Sequence, residues 1–432
     1  MKIPMARRLF AALRTCGIVF LLFTAAAVSL HGQTLSTASF NGADGANPEY
    51  GALIQGHDGN FYGTTSAGGA NGGGAIFMAA PGTLTLVYSF CAKANCADGK
   101  SPYGGLVLGT DGNFYGTTQS GGANGYGTIF KYVPGVGLTT LYNFCAKSGC
   151  TDGANPVAGL IQAANGNFYG TTEYGGANDM CGAAGCGTVF KITKKGKLTT
   201  LYSFCSKSDC SDGELPTGAL IQGKDKKFYG TTFTGTDAIG SFGTIFKITG
   251  AGKLSTLYNF CSKSGCVDGA APHAGLIQAT DGNFYGATEY GGANDFCEDL
   301  GDEVGCGTVF KITTKGKLTT LYSFCSLSGC ADGELPTGGL IQATDGNFYG
   351  TTFTGTNEFA SYGTIFEITP AAALTTLYSF CSKAGCADGS FPLAGLVQGA
   401  DGSFYGTTVT GGASGDGTAF RFSTALGGSS RP

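Results

Sequence analysis

Glu173 and Glu289 stand in two copies of one phrase, Glu-Tyr-Gly-Gly-Ala-Asn-Asp, at 173–179 and 289–295. Paired carboxyls are the working parts of glycoside hydrolysis, one as acid and one as base or nucleophile, at a separation of roughly 5 to 10 Å. Tyr174 and Tyr290 follow the two Glu, and Phe233 and Phe353 come directly after the same Thr-Thr in two other copies. Aromatic side chains at a loop edge can stack on sugar rings or anchor a protein partner. Tyr174, Asn178, Phe233, Tyr290, Asn294 and Phe353 are therefore the candidate binding residues. The competing reading of the rings is packing between structural units. Equivalent positions two units apart are expected to lie too far apart for joint glycosidase work, so no catalytic set is assigned and Glu173 and Glu289 stand only as candidates.

Two other acidic patterns could hold a cation. The segment between Cys297 and Cys306 carries Glu298, Asp299, Asp302 and Glu303; hard oxygen ligands of this kind suit calcium, although the EF-hand spacing is absent. Asp299, Asp302 and Glu303 are the metal candidates, calcium is the one structural ion considered, and no cofactor is expected. Asp44, Asp98, Asp152, Asp212, Asp268, Asp332 and Asp388 each open an Asp-Gly-x-x-Pro segment. They read either as a ring of carboxylates at a channel mouth or, preferably, as Asp turns satisfying local backbone N–H groups.

The chain has 17 cysteines. Setting aside Cys16 in the leader, the others form close pairs: Cys91 and Cys96, Cys145 and Cys150, Cys205 and Cys210, Cys261 and Cys266, Cys325 and Cys330, Cys381 and Cys386, with Cys181 and Cys186, and Cys297 and Cys306, in Gly-rich stretches. For an exported chain these read as local disulfides, each closing a small loop for about 2 kcal/mol in the chain-entropy model. Zinc is disfavoured because it usually takes Cys-x2-Cys with His partners, and only His57 and His273 follow the leader.

Export is read from the N-terminus. Lys2, Arg7, Arg8 and Arg14 precede an apolar run at 17–23, followed by Ala25, Ala26, Ala27 and Ser29. This is the order of a secretory signal, with cleavage expected between about residues 29 and 33. No later segment has the roughly 20 apolar residues of a membrane span, and residues 425–432 form a short tail with neither an apolar anchor nor a basic cluster. The reading is a protein released outside the cytoplasm, extracellular or periplasmic, and monomeric. A net charge of −4 with 12% charged residues gives no electrostatic case for nucleic acid. Gly-x-Ser-x-Gly, a phosphate loop and a dinucleotide fingerprint are also missing.

The elements that must position these residues repeat. Phe-Tyr-Gly recurs at Phe61, Phe114, Phe168, Phe228, Phe284, Phe348 and Phe404, at intervals of 53 to 64 residues. Each unit carries four strand signals: Gly-Leu-Ile-Gln, Phe-Tyr-Gly-Thr-Thr, Gly-Thr-Ile-Phe-Lys-Ile and Leu-Thr-Thr-Leu-Tyr-Ser-Phe. Four antiparallel strands joined by tight turns make a propeller blade. The last unit stops after its third strand, while residues 35–40 supply a fourth-strand sequence at the other end. The fold class is therefore all-β: a seven-bladed β-propeller of four-stranded antiparallel blades, closed by the N-terminal strand completing the last blade. The expected blades are 49–90, 103–144, 157–204, 217–260, 273–324, 337–380 and 393–422 plus 35–40, within a domain at 34–424 after a signal at 1–33. Residues 168–277 and 284–397 repeat as a two-blade duplication.

The Gly-Gly-Ala-Asn, Gly-Thr-Ile-Phe-Lys-Ile and Leu-Tyr-Ser-Phe phrases resemble the Gloeo/Verruco tandem repeat family, often called choice-of-anchor GloVer repeat proteins, over residues 35–422. The resemblance implies an exported bacterial repeat protein with no defining activity. The double-Gly loop is also distantly similar to kelch propellers, but the His ligands of galactose-oxidase-type copper chemistry are absent. The functional expectation is a secreted, non-enzymatic propeller binding carbohydrate or protein through its disulfide-rich loop face. The alternatives are a polysaccharide lyase or glycosidase, and a passive structural surface component.

Overall fold

The computed structural model describes residues 33–178, 180–182, 184–235, 242–294, 305–355 and 362–424. Its strands form seven four-stranded antiparallel sheets, each a blade in a closed ring. Blade 1 shows the plan: Ile54–Gln55 innermost, then Phe61–Thr65, Ala75–Ala80 and outermost Thr83–Ser89. Blade 7 takes its outer strand from the start of the chain. Thr34–Ser39 pairs with Thr418–Ser423 from Thr34 opposite Ser423 to Ser39 opposite Thr418. The expected closure is thus present, and it leaves no open sheet edge between the chain's two ends.

The repeated aromatics explain why one sentence of sequence builds a ring. The Tyr of each Phe-Tyr-Gly packs on the Phe of the next blade: Tyr115 on Phe168 at 4.1 Å, Tyr169 on Phe228 at 4.0 Å, Tyr285 on Phe348 at 4.1 Å. The series closes with Tyr405 of blade 7 on Phe61 of blade 1 at 3.8 Å. A second series runs further out, where the Phe ending each outer strand meets the third-strand Phe of the following blade, as in Phe204 and Phe246 at 5.2 Å. Each such ring, fully buried, contributes about 1.5–3 kcal/mol. Both faces of a blade are therefore apolar, as sandwiching between neighbours requires.

Hydrogen bonds stitch the same joints. The Gln at the end of an inner strand accepts from a backbone N–H of the preceding blade's hairpin, as Gln162 does from Thr110 at 2.8 Å, and Gln55 does from Ala400 across the seam at 3.2 Å. Around the axis the inner strands crowd: a Cβ on Gly275 would lie 2.3 Å from the Ala219 carbonyl oxygen. Only small residues fit there, as the Gly and Ala at these positions predict.

Candidate functional site at the channel mouth

Linkers and second-to-third strand loops meet on one face of the ring. Short bridges tie them together, among them Ala154 with Tyr174, Glu214 with Thr234 and Ala270 with Tyr290. Among the described residues both halves of seven disulfides are present here: Cys91–Cys96, Cys145–Cys150, Cys181–Cys186, Cys205–Cys210, Cys261–Cys266, Cys325–Cys330 and Cys381–Cys386. Cys306 is also disulfide-bonded; Cys297, Glu298, Asp299, Asp302 and Glu303 lie outside the described residues, and so does the calcium reading of their loop. The extra pair at Cys181 and Cys186 lies against Cys205, Cys210 and Glu214, with all five ligand-type atoms within 4.8 Å of one another. Sulfurs already joined as disulfides are not the thiolates that metals bind.

The linker Asp residues take the turn role. Asp98, Asp152, Asp212, Asp268, Asp332 and Asp388 have no exposed surface. Asp212 is typical: it accepts from the Tyr202 hydroxyl at 2.6 Å and from the Ser206 and Lys207 N–H groups at 2.9 and 3.1 Å. Each of the six thus holds a disulfide loop to the outer strand of its blade. For Asp388, burial raises the carboxyl pKa, but bonds from Tyr378, Ser382 and Lys383 outweigh it and leave the group below its ordinary range. Asp44 precedes the first disulfide loop and instead accepts from the Asn41 N–H at 2.9 Å. The carboxylate-ring reading is corrected accordingly: these oxygens are spent on local backbone and tyrosine groups.

The mouth itself is lined from a position five residues beyond each Asp, directly after Pro. The seven residues there are Glu49, Tyr103, Val157, Thr217, His273, Thr337 and Leu393. All seven line either an outer cup of about 320 Å³ or the channel of about 340 Å³ beneath it, and Val157, Thr217 and His273 line both. The blade scaffold fixes them. The first Thr of Thr-Thr donates to the carbonyl beside the Pro-following residue of the next blade, Thr64 to Gly104 at 3.0 Å, Thr117 to Ala158 at 2.9 Å and Thr231 to Ala274 at 2.9 Å.

Tyr50, one residue further along, crosses the opening. Its ring stacks on His273 of blade 5 at 4.3 Å and faces Tyr103 at 6.3 Å, the planes inclined by 27° and 25°. Phe233 also meets His273, edge-on at 5.7 Å. Tyr50 and His273 line both spaces and so stand where cup and channel meet.

Three carboxyls surround this aromatic group. Glu49 and Glu173 line the cup, and Glu49, Glu289 and Glu173 all act electrostatically on the Tyr50 hydroxyl, whose pKa burial and these charges push up to about 12. Burial raises the carboxyl of each Glu, opposed only in part by hydrogen bonds from Ser66, Tyr174 and Tyr290 respectively. His273 keeps some surface open to the channel, yet is packed so deeply that desolvation takes its pKa down to about 4, leaving it neutral near neutral pH.

The candidates named from sequence therefore separate. Glu173 lines the cup, Glu289 acts on Tyr50 by its charge and Phe233 packs on His273, while Tyr174 and Tyr290 hydrogen-bond to the two Glu. Phe353 packs on Phe391 at 5.2 Å. Asn178 and Asn294 are loop anchors, each donating to the last carbonyls of its outer strand, as Asn178 does to Ser203 at 3.1 Å and Phe204 at 2.7 Å. Glu49, Tyr50, Tyr103 and His273 were not singled out as binding residues. The signal for three of them was variability: the residue after Pro differs among most copies although the Asp, Gly and Pro before it are constant.

The Gloeobacter/Verrucomicrobia repeat model matches residues 16–181, 147–329 and 266–431, together almost the whole chain. The chain belongs to this repeat family. No curated protein matches it by sequence. Among solved structures, this Gloeobacter/Verrucomicrobia repeat protein is similar to the extracellular domain assigned to a hybrid two component system of B. thetaiotaomicron, with TM-score 0.51, 10% identity, and coverage of 91% of this chain and 40% of that one. It spans well under half the length of that relative. An ulvan lyase, a polysaccharide lyase bound to a GlcA(1-4)Rha3S sugar, aligns with TM-score 0.50, 9% identity, and coverage of 80% and 87%. At such identities the likeness is one of fold. Among the described residues no helix is long and apolar enough to cross a membrane.

Proposed function

We propose that this repeat protein is an exported, non-catalytic binding propeller whose channel-mouth cup takes a carbohydrate. The observation that carries the reading is the stack of Tyr50 on His273 at 4.3 Å, with Tyr103 beside it and Glu49 and Glu173 in the wall of the same cup. Aromatic faces cover the apolar face of a sugar ring, and carboxylates accept from its hydroxyls. A volume of about 320 Å³ lies at the small end of ligand sites, roughly 300–1,000 Å³, and suits a single sugar unit of a longer chain. Export follows from the leader and the local disulfides, and N-terminal sequencing of the mature protein from the culture or periplasm tests it, with a start between about residues 29 and 33 expected.

The binding reading is tested on a glycan array followed by calorimetry. The expected result is a ligand whose binding is abolished by Tyr50→Ala and kept by Lys315→Ala on the opposite face. A blank array, or binding indifferent to Tyr50, overturns it. A second reading, a carbohydrate-active enzyme, draws on one observation: Glu173 and Glu289 are carboxyls raised by burial, as general acids must be. Activity on a polysaccharide panel that is lost in Glu173→Gln or Glu289→Gln would favour it; no activity removes it.

A further inference from the structure

Charge is handled differently at the two ends of the propeller. On the hairpin face several Asp have cations beside them, Asp111 with Lys131 at 3.1 Å, Asp281 with Lys311 at 2.7 Å and Asp401 with Arg421 at 2.9 Å, while Asp58 and Asp345 are held by Tyr62 and Tyr349. At the mouth, Glu49 and Glu173 line the cup with Tyr50, Glu289 acts on the Tyr50 hydroxyl by its charge, and no Lys or Arg is among the residues that line the cup. His273 is neutral near neutral pH and supplies no counter-charge. Three half-desolvated carboxyls without a cation are an expensive arrangement unless a ligand brings one.

A separate observation points into the same opening. Thr337, 4% exposed, lines the channel that Tyr50 and His273 also line, and its Oγ1 has no hydrogen-bond partner among the described residues. Buried hydroxyls are nearly always satisfied; those of Thr140, Thr171, Thr354 and Thr407 are unpaired too, but of the five only Thr337 lines the channel, where a polar ligand group can end. The walls exclude a bare metal ion as the natural occupant. Calcium gathers six to eight oxygens in one shell, whereas here the carboxyls come from blades 1, 3 and 5 and aromatic faces fill the space between them. Carboxylates around Tyr, Tyr and His rings instead match an organic ammonium, which gains both charge-assisted hydrogen bonds and cation–π attraction.

We infer that the cup recognises an amino sugar, its protonated primary amine set among Glu49, Glu173 and Glu289 and its ring laid against Tyr50 and Tyr103. The inference rests on the carbohydrate reading above and narrows its ligand class. The ammonium offers three donors, enough for the surrounding carboxyls, and the sugar ring leaves a hydroxyl for Thr337.

Calorimetry at neutral pH with three oligomers of equal length tests it: one of glucosamine, one of N-acetylglucosamine and one of glucose. The glucosamine oligomer is expected to bind about tenfold more tightly, or better, than the other two, since a charge-assisted hydrogen bond alone is worth about 1.5–3 kcal/mol. That preference should shrink as salt is added and vanish in the double variant Glu173→Gln, Glu289→Gln, which keeps the side-chain shapes. Binding of the neutral oligomers as tight as that of glucosamine, still lost in Tyr50→Ala, overturns the amino-sugar inference and leaves the carbohydrate reading standing. No binding by any of the three, with a blank glycan array, overturns both. Binding of polylysine in preference to the glucosamine oligomer also overturns the inference, because the cation would then belong to a protein.

Discussion

Two rings of side chains run around the same end of the propeller, five residues apart in every linker. The Asp ring hardly varies; six of its members are buried, and each is fully occupied with a Tyr hydroxyl and two backbone N–H groups. The ring after Pro reads Glu, Tyr, Val, Thr, His, Thr and Leu, and every member faces the cup or the channel. Repetition of a residue marks a task every blade shares, which is holding itself together. Divergence just after a constant Asp, Gly and Pro, at a position that lines the cup or the channel, marks the place where blades stopped being equivalent. A ligand on the axis is met by all seven blades at once, so seven positions carrying six residue types make one asymmetric site.

The comparison presupposes a closed ring, and opening it should have the largest effect. Deleting Thr34–Ser39 strips Thr418–Ser423 of its partner; the melting temperature should fall by about 10 °C or more, and an unchanged melt would remove the closure from the account. Next in size is the constant ring. Asp212→Ala removes the acceptor of the Tyr202 and Ser206 hydroxyls and leaves two N–H groups without their partner, and should cost roughly 3 kcal/mol or more in chemical denaturation, while Asp44→Ala, whose residue holds no disulfide loop, should cost under about 1 kcal/mol. Equal losses would show that burial and bonding do not separate the two. Tyr103→Ala in the variable ring should do the reverse, weakening ligand binding by about tenfold or more with a stability change within about 1 kcal/mol.

The smallest effect concerns Glu289. Its carboxyl holds a proton to higher pH in the folded chain than in the unfolded one, through burial. Folding is therefore favoured by this group at low pH, and that contribution is lost as pH rises from the ordinary carboxylate range through the raised folded value. Glu289→Gln should accordingly melt slightly higher than the parent at neutral pH, with the difference closing on acidification. A lower melt at neutral pH would mean that the lost Tyr290 contact outweighs the desolvation.

The fold was legible because its determinants are local and repeated: Phe-Tyr-Gly, the Gly at the axis and the fourth-strand sequence displaced to the N-terminus each have one geometric use. The site was legible in part. Glu173, Glu289 and Phe233 stood out as departures from the repeat beside Thr-Thr; Glu173 lines the cup, and the other two act on its aromatic residues, Glu289 on Tyr50 and Phe233 on His273. Glu49, Tyr103 and His273 depart just as plainly beside Pro, but their segment looks like a linker, and His273 drew notice only as a metal ligand. Tyr50 could not be read at all, since its reach to His273 across four blades depends on ring closure. That reach also explains why Glu173 and Glu289, two blades apart, act on one hydroxyl. Asn178 and Asn294 show the converse: a conspicuous polar residue in a loop, used up by the carbonyls of its own blade.

The most direct test uses the chain's own repeats. Thr already occupies the position after Pro at Thr217 and Thr337, so the triple variant Glu49→Thr, Tyr103→Thr, His273→Thr brings blades 1, 2 and 5 to a residue the scaffold accepts. Calorimetric titration with the ligand found for the parent, alongside a thermal melt, should show binding abolished and a cooperative melt within a few degrees of the parent. Retained binding, or loss of the folded state, would contradict the claim that this ring serves the ligand and not the blades.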